Sequence, residues 1–187
     1  MLLHLHEWGD HDAPAIVCLH GITTHGLRFR RLAEERLAHR FRVLAPDLRG
    51  HGRSGWEPPW NLSTHLADVI ETVDAAGVGR ATWLGHSFGA RLILELCPDG
   101  RLRWRYCRAA VATGYGELCT APPPPTVLPE PSLLVHAEHF GLVREDQLQE
   151  YAETLGDRLE IVAVPGGHVV YWDSYEQTAD ALERFLT

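Results

Sequence analysis

Short apolar runs alternate along this chain with stretches in which apolar residues recur every three or four positions. The runs are Ala15 to Leu19, Phe41 to Ala45, Ala81 to Leu84, Ser132 to Ala137 and Leu159 to Val164. Bounded by turn residues and only five or six positions long at most, they predict strands; several are too apolar to alternate, as strands buried on both faces are. Met1 to Trp8 reads as an edge strand. Between the runs, Phe29, Leu32, Ala33 and Leu37 form one apolar stripe on an otherwise charged helix. Leu62, Leu66, Val69, Ile70 and Val73 form a second, which Gly77 can end as a left-handed cap. Leu148, Tyr151, Ala152 and Leu155 mark a third helix, and Tyr175, Leu182, Phe185 and Leu186 a terminal one. Strands and helices in alternation predict an α/β fold: a mostly parallel central sheet with helices on both faces.

The stretch from Pro98 to Pro131 breaks this alternation. It carries the basic aromatic run Arg101 to Tyr106 and four consecutive prolines, Pro122 to Pro125, which favour an extended linker. At 187 residues and 45% hydrophobic, the chain is long enough for one buried core and is expected to form a single domain, residues 1–187, with 98–131 irregular. A net charge of −8 argues against nucleic acid and anionic membranes as partners, the basic run notwithstanding, and favours small molecules. Cys18, Cys97, Cys107 and Cys119 show no paired metal or redox spacing, so reduced packing residues in a cytoplasmic protein are expected. No stretch has the continuous apolar length of a membrane span, and the first residues lack the features of an export leader.

The chemistry is concentrated in Gly85-His86-Ser87-Phe88-Gly89. With 17 glycines and five serines, composition alone gives about 0.04 such Gly-x-Ser-x-Gly segments by chance, so position along the chain carries the argument. The segment lies between an apolar run and a helical stretch, which seats Ser87 on a sharp strand-to-helix turn above the strand ends. A serine hydroxyl needs a base. His168, in Pro165-Gly166-Gly167-His168 after the last predicted strand, is the candidate, and its two glycines suggest a loop able to swing the imidazole. The oxyanion formed by attack on a carbonyl needs two fixed N–H donors, each worth about 3 kcal/mol. Phe88 N–H is one candidate, and Ile22 N–H, in His20-Gly21-Ile22 after the strand ending at Leu19, is the other. His20 reads as a brace for that loop. The remaining histidines show no metal spacing, and neither a metal nor a cofactor is expected.

Four motifs in order, His20-Gly21, Asp47-Leu48-Arg49-Gly50-His51-Gly52-Arg53-Ser54, Gly85 to Gly89 and Gly167-His168, resemble the α/β-hydrolase superfamily of the esterase and lactonase type. The resemblance covers about Leu3 to Leu96 and about Pro131 to Phe185. It implies a serine hydrolase that cleaves a small ester or lactone through an acyl-enzyme; a hydrolase scaffold that only binds a small ligand is the alternative. Two departures stand out. The family commonly carries an aspartate after the strand matching Ser132 to Ala137, where this chain has Phe140, and its sixth strand and cap find no match near Cys97 and Pro98. Glu138 and Asp99 are the weak remaining candidates for an acid orienting His168. A site without its cap would leave apolar ground around Ser87, which a second subunit of a homo-oligomer could cover.

Overall fold

The structure is a computed structural model that describes residues 1–96, 128 and 130–187. The chain divides into two compact units, Met1–Pro123 and Pro124–Thr187. The expected linker features, Arg101 to Tyr106 and Pro122 to Pro125, lie outside the described residues, as do Cys97, Asp99, Cys107 and Cys119.

In the first unit, β1 (Leu5–Trp8), β2 (Ala15–Leu19), β3 (Arg42–Pro46) and β4 (Ala81–Gly85) form one sheet in the order β1-β3-β2-β4. β2 runs parallel to β3 and β4, while β1 pairs antiparallel with β3 at the edge. The edge strand is shorter than the expected Met1 to Trp8. Before Leu5 the backbone is engaged by hydroxyls: Leu3 N–H donates to Thr72 Oγ1 and His4 N–H to Ser54 Oγ.

The unbroken apolar character of β2 and β3 reflects burial on both faces. Val17, Leu19 and Leu44 enter a core with Leu66, Val69 and Val73 of α2 (Leu62–Ala75) and with Phe88 and Leu92 of α3 (Phe88–Glu95). Alternate residues Ile16, Cys18, Val43 and Ala45 point the other way and are as fully buried. A helical segment packs against β1, β2 and β3 and buries Phe29, Leu32, Ala33 and Leu37. The apolar stripe foretold that burial. The backbone is less regular than a stripe implies, passing from a 3₁₀ turn (Gly26–Phe29) through α1 (Arg30–Leu32) to a π turn (Ala33–Leu37). α2 begins at Asn61, whose side chain accepts the Thr64 N–H, and ends as expected at Gly77 with φ +74°.

In the second unit, β5 (Ser132–Ala137) and β6 (Leu159–Val164) pair in parallel, joined through α4 (Glu145–Leu155), and α5 (Val170–Asp173) and α6 (Tyr175–Phe185) follow. Both strands have the bounds expected. α4 buries Leu155 and exposes Ala152, so its buried stripe is narrower than the sequence suggested. The architecture is α/β, a mixed and mostly parallel arrangement of strands with intervening helices. None of the described helices is long and apolar enough to cross a membrane.

Candidate active site

β4 ends at Gly85 and α3 starts at Phe88, leaving two residues to reverse the chain. Ser87 absorbs the reversal with φ +54° and ψ −114°, and among the described residues it is the one non-glycine with positive φ. An L-residue holds such a conformation only where its surroundings enforce it, at a cost of about 1–3 kcal/mol. The glycines on either side show the enforcement. A Cβ on Gly89 would lie 2.0 Å from the Leu19 carbonyl oxygen, and one on Gly85 would lie 2.5 Å from Ala90 Cα. Strand β2, helix α3 and the turn are therefore in contact at backbone distance, which only glycine permits. His86 N–H donates to Leu19 O, stitching the turn to the end of β2.

That stitching brings the loop after β2 to the serine. Leu19 pairs with Gly85, and a Cβ on Gly21 would stand 3.4 Å from Ser87 Cβ. The Gly21 carbonyl oxygen accepts from Thr24 N–H (3.1 Å), Thr24 Oγ1 (3.0 Å) and His20 Nδ1 (2.8 Å). A trans peptide points its N–H opposite to its C=O, so three donors on Gly21 O also fix the direction of Ile22 N–H. The Ile22 carbonyl oxygen in turn lies 2.6 Å from His51 Nε2, and His51 Nδ1 lies 2.9 Å from Arg49 O. Phe88 opens α3, and its N–H is one of those an α-helix leaves without an intrahelical acceptor. The two expected oxyanion donors and Ser87 thus share one corner of the first unit.

His20 is fully buried, and burial pushes its imidazole down to about 4 against the opposing pull of the Gly21 carbonyl. Leu48 N–H donates to Nε2, which leaves the proton on Nδ1 for Gly21 O. Asp47 anchors the motif that follows β3. Its Oδ1 accepts Gly26 N–H at 2.7 Å and its Oδ2 accepts Arg53 N–H at 2.8 Å, with His6 Nε2 3.1 Å from Oδ1. Burial raises its pKa, but the donors from Arg53, Gly26 and His6 outweigh that and hold the carboxyl below its usual range. Ser54 Oγ donates to Asp47 O, and Arg49 clamps buried Asp68 of α2 through Nε (2.6 Å) and NH2 (2.9 Å).

In the second unit His168 lies between β6 and α5, half-buried. Its ring stacks on Phe140 with centroids 5.7 Å apart and planes 14° from parallel. Burial pushes the imidazole below its ordinary range, and the Asp173 carboxylate pulls it upward without cancelling that. The glycines before it serve close packing. Gly166 has φ +98°, and a Cβ on Gly167 would meet Asp173 Oδ2 at 2.7 Å. Ser174 Oγ donates to Pro165 O, so the loop is clipped to α5 rather than free to swing. Glu138 sits on the surface beside His139, 3.6 Å away. Asp173 and Thr24 fall in none of the sequence motifs, and His51 falls in one without an assigned role; Thr24 and His51 act on backbone carbonyls, which no spacing reveals.

Cys18, buried in β2, has its thiol pushed up by burial and is unsuited to nucleophilic chemistry.

Residues 14–103 match a family model described as the alpha/beta hydrolase fold. Lipase LipV of Mycobacterium tuberculosis is 34% identical over 100 residues, covering 52% of this chain and 38% of that protein. A 3-hydroxybutyrate-oligomer hydrolase of Cupriavidus necator is 35% identical over 95 residues, covering 49% of this chain and 32% of its own length. The matches therefore span well under half of these curated relatives. The enol-lactonase from Burkholderia xenovorans LB400 superposes with a TM-score of 0.81 at 19% identity, over 98% of this chain and 96% of that one. The sequence match over residues 14–103 and the structural match along the chain agree: this chain has the α/β-hydrolase fold.

Proposed function

We propose that this protein is a serine hydrolase that cleaves a small carboxylic ester or lactone through an acyl-enzyme. The observation that carries the reading is Ser87, held at positive φ beside a loop whose Gly21–Ile22 peptide is fixed by donors to the Gly21 carbonyl. Ser87 Oγ attacks the carbonyl carbon while His168 accepts the hydroxyl proton. Ile22 and Phe88 N–H groups bind the oxyanion. Collapse expels the alkoxide, which takes the proton from His168. Water then gives a proton to His168 and attacks the acyl carbon, and a second collapse frees the acid and restores Ser87. Lipases and lactonases among the similar proteins support an ester or lactone as substrate. A reducing cytoplasm suits the buried free thiol of Cys18.

A fluorophosphonate probe tests this directly. Labelling on the Ser87 peptide is expected for the native chain and none for Ser87→Ala or His168→Ala, in parallel with hydrolysis of p-nitrophenyl butyrate. The Phe140 stack on His168 favours a second reading, a small-ligand binder with little turnover. Saturable ester binding with no labelling of Ser87 would establish that reading in place of the first.

A further inference from the structure

We propose that His4, His6 and Asp47 form a zinc-binding site at the edge of the sheet, independent of Ser87. Sequence spacing hides it because Asp47 comes from the end of another strand, one residue beyond β3. His4 and His6 flank Leu5, two positions apart, so their side chains fall on one side of the extended chain. β1 and β3 pair with Leu5 opposite Pro46 and His6 opposite Ala45, which sets Asp47 across from His4; Asp47 N–H donates to His4 O at 2.9 Å. Asp47 is then the cross-strand neighbour of one histidine and the diagonal neighbour of the other.

The side chains meet. The two imidazole centroids are 4.6 Å apart, and one ligand atom from each of the three residues lies within 4.8 Å of the others. His6 Nε2 and Asp47 Oδ1 are 3.1 Å apart. Zinc bonds of about 2.0–2.2 Å at a tetrahedral angle set two ligand atoms about 3.3 Å apart, so this pair already has nearly the required bite. The ion takes the place of the hydrogen bond between them: the His6 proton moves to Nδ1, and the Nε2 lone pair turns to the metal. Asp47 keeps its Gly26 and Arg53 N–H donors, which hold the carboxylate as outer-shell donors do. Closing His4 onto the ion needs a small rotation, and water completes the fourth position. Two imidazoles and one carboxylate are a donor set suited to Zn²⁺.

Titration calorimetry of the full chain with zinc chloride near neutral pH is expected to show saturable binding of one ion. His4→Gln and His6→Gln should each weaken it by about tenfold or more. His6→Gln also removes the bond to Asp47. His4→Gln leaves that bond intact and serves as the cleaner variant, with circular dichroism checking that it folds. X-ray absorption of the loaded protein should report two imidazoles. No saturable binding, or binding that both variants leave unchanged, would overturn the site, and neither result depends on esterase activity.

Discussion

At the scale of single residues, glycine position separates structural from chemical consequences. Gly77 has φ +74° and open space around it, whereas a Cβ on Gly89 would meet the Leu19 carbonyl at 2.0 Å. Gly77→Ala is expected to lower stability by about 1 kcal/mol, the left-handed penalty alone, and to leave the rate of Ser87 labelling unchanged. Gly89→Ala must move α3 or β2, and should abolish labelling even in whatever fraction stays folded; equal labelling in the two variants would refute the close approach. Phe140 offers the second residue-scale test. A carboxylate placed there by Phe140→Asp favours the protonated imidazole, so the His168 pKa rises. Because the base must be neutral to accept the serine proton, the acid limb of the kcat/KM profile should move to higher pH. Phe140→Leu should leave that limb in place. The substitution at Phe140 was legible in the sequence beside Glu138 and His139, but its stack on His168 was not, since that contact joins two loops nearly thirty positions apart.

At the scale of elements, the strands were the most legible feature. β2, β5 and β6 have the bounds their apolar runs suggested, because strands this short and apolar have few alternatives once turn residues close them off. The stretch from Gly26 to Leu37 was legible only in what it buries: an apolar stripe fixes the face, while the choice among 3₁₀, α and π geometry is made by packing on the sheet. The loop after β2, where the oxyanion donor is proposed, was legible as a location and not in how it is held. His51 Nε2 holds the Ile22 carbonyl, and Thr24 and His20 hold that of Gly21. If the loop supplies the proposed oxyanion donor, it acts on charge that develops only in the transition state, so His51→Phe is expected to lower kcat by about tenfold with little change in KM. A matching rise in KM would instead assign His51 to substrate binding.

At the scale of the whole molecule, buried neutral histidines set the response to acid. His20 and His65 are almost fully inaccessible, and burial pushes both down to about 4. His65 packs edge-on against Phe88, 5.2 Å between centroids, so protonating it would place a charge beside the first residue of the helix that follows the Ser87 turn. In the unfolded chain each ring titrates near 6.5. Above that pH both states are neutral and stability is full. Below it the unfolded chain binds protons that the folded chain refuses: His20 and His65 together lower stability by up to about 2.7 kcal/mol per pH unit until the folded rings themselves protonate near 4, and the less strongly lowered His6 and His168 add smaller shares. Asp68, held low by Arg49 and the terminal amine in spite of its burial, adds a second loss only below the usual carboxylate range. The expected result is a urea midpoint that drops steeply between about pH 6 and pH 4.5, before carboxylates contribute. His65→Gln should remove up to about half of the slope in that window. A midpoint that stays flat there would mean that the two rings are not buried as neutral imidazoles, and with them would go the account of how His20 keeps its Nδ1 proton on Gly21 O.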